Sequence, residues 1–163
     1  MKIIKYYIKR LIQRHRSKVV WNTKPYVDEI ISTMNSDDLD KLGMNSSGQY
    51  LNYEDCGFIV KRILLFDNEI PVAFFDILDD DVQYNIAIGT RSDIKYRNKG
   101  YASSAAKQGM TFYNKYKKLF KKKVIWGVRT DNIASIKIAE SLGFIKDNNS
   151  YSDDNKWINY VYE

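Results

Sequence analysis

One cysteine, Cys56, occurs in 163 residues, so the chain cannot form an internal disulfide. No cleavable signal sequence is recognisable either, and together the two absences point to a reducing, cytoplasmic setting. For Cys56 itself an idle or buried thiol is the expectation. Histidine is equally scarce. His15 stands alone among lysines and arginines, where a solvated side chain is expected rather than a catalyst. Neither G-x-G-x-x-G nor G-x-x-x-x-G-K-[ST] occurs, which excludes two familiar nucleotide-phosphate loops. Acids are missing from two stretches. Residues 1–24 carry eight Lys/Arg and no Asp or Glu, and ten Lys/Arg lie from Lys95 to Lys123 with no acid between Asp93 and Asp131. The net charge of +6 therefore belongs mainly to the N-terminal segment, because the remainder holds eighteen basic against twenty acidic side chains.

What is present is enough for one domain with a real core, since 44% of the residues are apolar. Ile4, Ile8, Leu11 and Ile12 recur at helical spacing among cations, so residues 1–17 read as a basic amphipathic helix, too short and too charged to span a bilayer. Residues 18–163 read as a single domain. Lys18 to Asn22 is expected to be a short strand. Thr23 is placed to cap a helix that accommodates Pro25 and buries Val27, Ile30 and Ile31. A second short helix follows Ser36 and stops at Gly43, and residues 43–56 read as a loop. Phe58–Phe66, Ile70–Leu78 and Val82–Gly89 are β-rich runs with short polar breaks, which predicts an antiparallel meander. Then come a helix from Tyr101 to about Leu119, a strand over Val124–Thr130, a helix over Asn132–Leu142, the start of a strand at Phe144–Lys146 and a last strand over Trp157–Tyr162.

Between the third run and the long helix lies Arg97-Asn98-Lys99-Gly100-Tyr101-Ala102. A small-residue loop there turns backbone N–H groups toward one point, and the positive end of the following helix dipole adds to them. That is a ready site for a phosphate or diphosphate group. Gly100 permits close approach and Ala102 keeps bulk away. The bland alternative, a turn that merely starts a helix, is outweighed only with the downstream elements in view.

The pattern Arg-x-x-Gly-x-Ala, followed by Thr130-Asp131-Asn132 through Leu142-Gly143-Phe144, resembles the GNAT superfamily of acetyl-CoA-dependent N-acetyltransferases over about Ile86 to Lys146. The resemblance implies an α/β fold of the α+β kind: a mixed, mostly antiparallel sheet flanked by helices, here with the extra N-terminal basic helix. It implies acetyl-CoA as co-substrate, no metal, and direct transfer of the acetyl group to a primary amine in a ternary complex. Ile88 and Gly89 would meet the pantetheine and the thioester carbonyl through the main chain. Arg97, Asn98, Lys99, Gly100, Tyr101 and Ala102 would hold the diphosphate. Asn132 would contact CoA, although it is also a favoured helix N-cap.

Many members of the family carry a tyrosine seven residues after that Asn to serve the departing sulfur. This chain has Ala139. Its Asn-x-x-Ser-x-x-x-Ala-Glu-x-Leu-Gly-Phe run is instead similar to the ribosomal-protein N-terminal acetyltransferases, which makes Ser135, about one turn earlier on the same face, the candidate proton donor. Glu54, Asp55, Asp76 and Asp81 are all open as the general base; Asp79 to Asp81 reads more simply as a solvated turn, and Asp76 as a strand residue facing water. The acceptor, whether peptide, protein, small amine or aminoacyl-tRNA, is open too. The basic helix leaves nucleic-acid or ribosome contact as an option, and a homodimer is an option too, since dimers are common among the proteins it resembles. The rival reading is an inactive GNAT-fold binding module for nucleic acid or a protein partner.

Overall fold

A computed structural model describes residues 23–43, 58–150 and 156–163. The expected N-terminal helix, the strand at Lys18 to Asn22, most of the 43–56 loop, and with them Glu54, Asp55 and Cys56, lie outside the described residues.

Six strands form one sheet: β1 (Phe58–Asp67), β2 (Ile70–Asp79), β3 (Tyr84–Thr90), β4 (Val124–Arg129), β5 (Ile145–Lys146) and β6 (Trp157–Tyr162), in the spatial order β1-β2-β3-β4-β6-β5. β1, β2 and β3 make the expected meander, and β4, β6 and β5 pair antiparallel. Only the central β3–β4 pair is parallel. This is the mixed, mostly antiparallel sheet that the sequence implies.

Among the described residues four α-helices flank it: α1 (Lys24–Ile31), α2 (Ser36–Lys41), α3 (Tyr101–Lys115) and α4 (Ile133–Ser141). Successive residues of a strand point to opposite faces, and Phe74 and Phe75 of β2 show the division. Phe75 joins the core beneath α3 and α4, with Ala105, Ala106, Met110, Trp126, Ala139 and Phe144. Phe74 joins Val27, Ile30 and Leu39 beneath α1 and α2. The two helix layers thus approach the sheet from opposite sides.

Local chemistry sets several boundaries differently from the sequence pattern. Thr23 does not cap α1; its hydroxyl oxygen instead accepts from Arg62 Nη1 at 3.2 Å. Asn35 caps α2, its Oδ1 accepting from the Asp38 N–H at 2.8 Å. β3 begins at Tyr84 rather than Val82, because Asp80 Oδ1 accepts from the amides of Val82 and Gln83 and holds them in a turn. α3 ends at Lys115, short of Leu119. The chain must turn there for Phe120 to reach back to the rings of Tyr113 and Tyr84, with centroids 4.9 and 5.1 Å away.

Candidate functional site

β3 and β4 are in register at only two places, Tyr84 with Val124 and Asn85 with Ile125, and then part. From Ile86 onward the edge of β3 that faces β4 has no strand partner among the described residues, so main-chain groups that a sheet would use up are left to line a gap. The gap widens into a cleft of about 650 Å³, with a continuing inner slot of about 160 Å³ between Ile86–Gly89 on one side and Trp126, Gly127 and Ser135 on the other.

One end of the cleft is built by the loop after β3. Asn98 and Gly100 both have positive φ, +58° and +75°, a conformation that asparagine tolerates and glycine adopts freely. Gly100 occupies the N-cap position of α3, and no side chain caps the helix. The first intrahelical bond runs from the Ser104 N–H to the Gly100 carbonyl at 2.9 Å. The amides of Tyr101, Ala102 and Ser103 precede it, at the positive end of a fifteen-residue helix. A Cβ placed on Gly100 would meet nothing within 4 Å, so the approach to these amides is open.

Most side chains of this loop lead away from the amides. The Tyr101 hydroxyl donates to Asp67 Oδ2 at 2.6 Å at the end of β1, and that bond, with burial, raises its pKa. Arg97 folds back, its Nε donating to the Ser92 carbonyl at 2.6 Å and its Nη2 lying 3.6 Å from Asp38. Lys99 lies over the buried Tyr96 ring, 5.7 Å from its centroid, and Lys95 and Arg91 approach the same ring at 4.9 and 5.5 Å. Tyr96 was invisible as a site residue, one of thirteen tyrosines. Its signal is the three cations spaced around it.

The opposite wall is the start of α4. Asn132 lines both cleft and slot and caps the helix, Oδ1 accepting from the Ser135 N–H at 3.2 Å. Ser135 lines the slot and is half-buried. Ala139 is fully buried in the core and lines neither space, so it takes no part in the cleft's surface. All nine residues predicted to meet the co-substrate, Ile88, Gly89, Arg97 to Ala102 and Asn132, border this one cleft. Gly89 also has a packing reason: a Cβ there would stand 2.4 Å from the Phe74 ring.

The candidate bases fare differently. Asp76 does not face water on its strand; its side chain has no exposure and is held by Arg62. Asp81 is exposed in the β2–β3 turn with φ +71°. That turn lies at the closed end of the β3–β4 pair, about 20 Å along β3 from the cleft loop at about 3.3 Å per residue. The carboxylate that does border the cleft, Asp38 of α2, was not singled out from the sequence. Nor were its neighbours Met34, Lys41 and Leu42. α2 is also clasped to the end of β4, where Arg129 pairs with Asp37 at 3.5 Å, with Asp40, and with Asp131 at 2.5 Å.

Residues 10–145 match a family described as the acetyltransferase (GNAT) domain. Solved structures share the fold at low sequence identity. An acetyltransferase of the GNAT family from Bacillus anthracis is 21% identical, with 86% of this chain and 89% of that one covered and a TM-score of 0.58. An acetyltransferase from Agrobacterium tumefaciens is 13% identical over 89% and 87% of the two chains, TM-score 0.58. The ribosomal-protein-S5-alanine acetyltransferase of Vibrio fischeri is 13% identical over 85% and 87%, TM-score 0.56. No curated protein matches the chain.

Proposed function

The chain belongs to the GNAT family of acetyltransferases, and from that premise we propose that it moves the acetyl group of acetyl-CoA to the nitrogen of a primary amine, by direct attack with both substrates bound. The observation that carries this reading is the parting of β3 from β4 beside a helix N-terminus introduced by a left-handed glycine. The gap presents main-chain donors and acceptors along a slot. The helix start presents unbonded amides and a positive dipole at its mouth.

In this reading the amides from Lys99 to Ser103 take the diphosphate, and Ile88 and Gly89 hold the thioester end through main-chain groups. A carbonyl oxygen that gains charge as the amine adds is stabilised by fixed N–H donors, which cost no reorganisation when the charge develops. Holding both reactants in one slot supplies much of the remaining rate. Asn132 orients the other side of the slot. Ser135, beside it, is placed to give a proton to the departing sulfur in place of the tyrosine that Ala139 replaces. Acceptors within reach of the proposal include a peptide N-terminus, a lysine side chain and a polyamine.

The direct test is to incubate the purified chain with labelled acetyl-CoA and a panel of a free-N-terminus alanine peptide, a lysine peptide, spermidine and bulk tRNA. Label should appear on one acceptor as an amide that resists mild base, with stoichiometric release of CoA thiol. Acetyl-CoA that raises neither the melting temperature nor the rate of thiol release with any amine would end this reading.

A further inference from the structure

Among the described residues, Asp38 is the carboxylate that borders the cleft. We propose that it is the docking group of the acceptor, taking the hydrogen bonds and then a proton of the amino group to be acetylated. The inference rests on the acetyltransferase reading above.

Three observations support it. Asp38 belongs to α2, whose Leu39 packs with Phe74 on the sheet face opposite α3. An amine resting on it would enter the cleft from the α2 wall, beside Ser92 and Arg97 at the exit of β3. Its carboxylate is aimed as well as placed. Oδ2 accepts from Ser92 Oγ at 2.6 Å, and the side chain is 27% exposed. Oδ1 accepts no hydrogen bond among the described residues, so it is the oxygen left for a ligand.

The third observation is the local charge. Lys41 is paired with Asp37 at 2.6 Å, and Arg91 with Glu29 and Asp93 at 2.7 Å each. Those neighbours are neutralised, and Arg97 comes only to 3.6 Å. Arg97 and Ser92 both sit on Oδ2, so an incoming ammonium would bind at Oδ1, the oxygen turned away from both. The class of acceptor this fits is a primary amine that arrives protonated.

The ammonium loses one proton to Asp38, which passes it to solvent. The nitrogen lone pair forms the C–N bond to the acyl carbon as the C–S bond breaks, and the second proton that nitrogen loses ends on the CoA sulfur.

The test compares Asp38→Asn and Ser92→Ala with the unaltered chain, using the acetylated member of the amine panel, with acetyl-CoA affinity measured by calorimetry. Asp38→Asn should lower kcat/KM for the amine by about 100-fold or more, with acetyl-CoA affinity held within about twofold as evidence of an intact fold. Ser92→Ala removes the brace but keeps the carboxylate, so the loss should be no more than about fivefold. Equal losses in the two variants would make Asp38 a brace and overturn the proposal, as would an Asp38→Asn rate like that of the unaltered chain. Should Asp38→Asn fail to fold, a large loss in Ser92→Ala alone overturns it and a small one upholds the carboxylate. An unaltered chain that acetylates no amine removes the underlying activity instead, a result distinguishable from either.

Discussion

Arg62 and Asp76 stand directly opposite each other across β1 and β2, and the guanidinium closes on both carboxylate oxygens, Nε to Oδ1 at 2.6 Å and Nη2 to Oδ2 at 2.5 Å. Neither partner has water to fall back on: the Asp76 side chain is unexposed and that of Arg62 is 13% exposed. Removing one member of such a pair leaves the other charged and buried, at a cost of about 3–5 kcal/mol. Asp76→Ala should therefore lower the urea midpoint sharply, while acetyl-CoA affinity and turnover per folded molecule stay near those of the unaltered chain. A slow variant of normal stability would return Asp76 to catalysis.

Gly100 makes two demands that substitutions can separate. Its φ of +75° penalises any side chain by about 1 kcal/mol or more, although a Cβ there touches no protein atom. Gly100→Ala should accordingly cost modest stability and some affinity. Gly100→Asp adds a negative charge where the diphosphate is proposed to sit, and its acetyl-CoA affinity should fall about 100-fold or more, since like charges in a partly enclosed site repel by several kcal/mol. Calorimetric titration of both variants decides. Affinity unchanged by the aspartate would place the diphosphate elsewhere.

Ser135 offers a third test. It lines the inner slot and its N–H is held by Asn132, so the side chain stands on a fixed backbone. With a thiolate as leaving group, proton donation is a modest aid, and Ser135→Ala should lower kcat by about tenfold with acetyl-CoA affinity retained. Single-turnover release of CoA thiol is the measurement. An unaltered rate would mean that the sulfur leaves without this serine.

The readable parts of the sequence were those governed by local rules. β-rich apolar runs separated by short polar breaks marked the β1–β2–β3 meander, and the glycine of the 97–102 loop marked a place where the main chain can approach an anion closely before a helix. Asn132 announced itself as a cap. The unreadable parts depend on residues far apart in the chain. Asp38 borders the cleft because Ser92, 54 residues away, receives its carboxylate. Asp76 sits in a strand whose residues from Pro71 to Leu78 are all buried, so alternation could not tell that it faces inward. Its neutralising partner becomes visible only when β1 and β2 are in register. The end of α3 escaped for the same reason, because the aromatic contacts that turn the chain at Tyr116 reach Tyr84 in another strand.

Arg129 supplies the last prediction, one of pH. It leaves the end of β4 and gathers Asp131, Asp40 and Asp37, which ties α2 to that strand, while Asp38 ties the same helix to the exit of β3. α2 therefore spans both arms of the gap, and the Arg129 clasp holds the helix on which Asp38, the proposed acceptor dock, stands. Hydrogen bonding from the guanidinium is the largest cause that holds the Asp131 carboxyl below its ordinary value of 3.8, and the arginine is in turn pushed above its own. A carboxyl depressed by folding stabilises the folded state above its unfolded pKa, and that contribution fades as pH falls through the depressed folded value. Arg129→Gln should thus be less stable than the unaltered chain at pH 7, and the gap should narrow below about pH 4 as Asp131 protonates in the unfolded chain and then in the folded one. These carboxylates are more than half exposed, so 0.5 M salt should shrink the gap as well. Urea titrations across pH and salt measure both effects. At pH 7 the same variant should raise KM for the amine more than it alters acetyl-CoA affinity, because α2 forms the wall opposite α3. An acid-independent stability gap would mean that Arg129 acts through packing of its aliphatic stem and not through its charge.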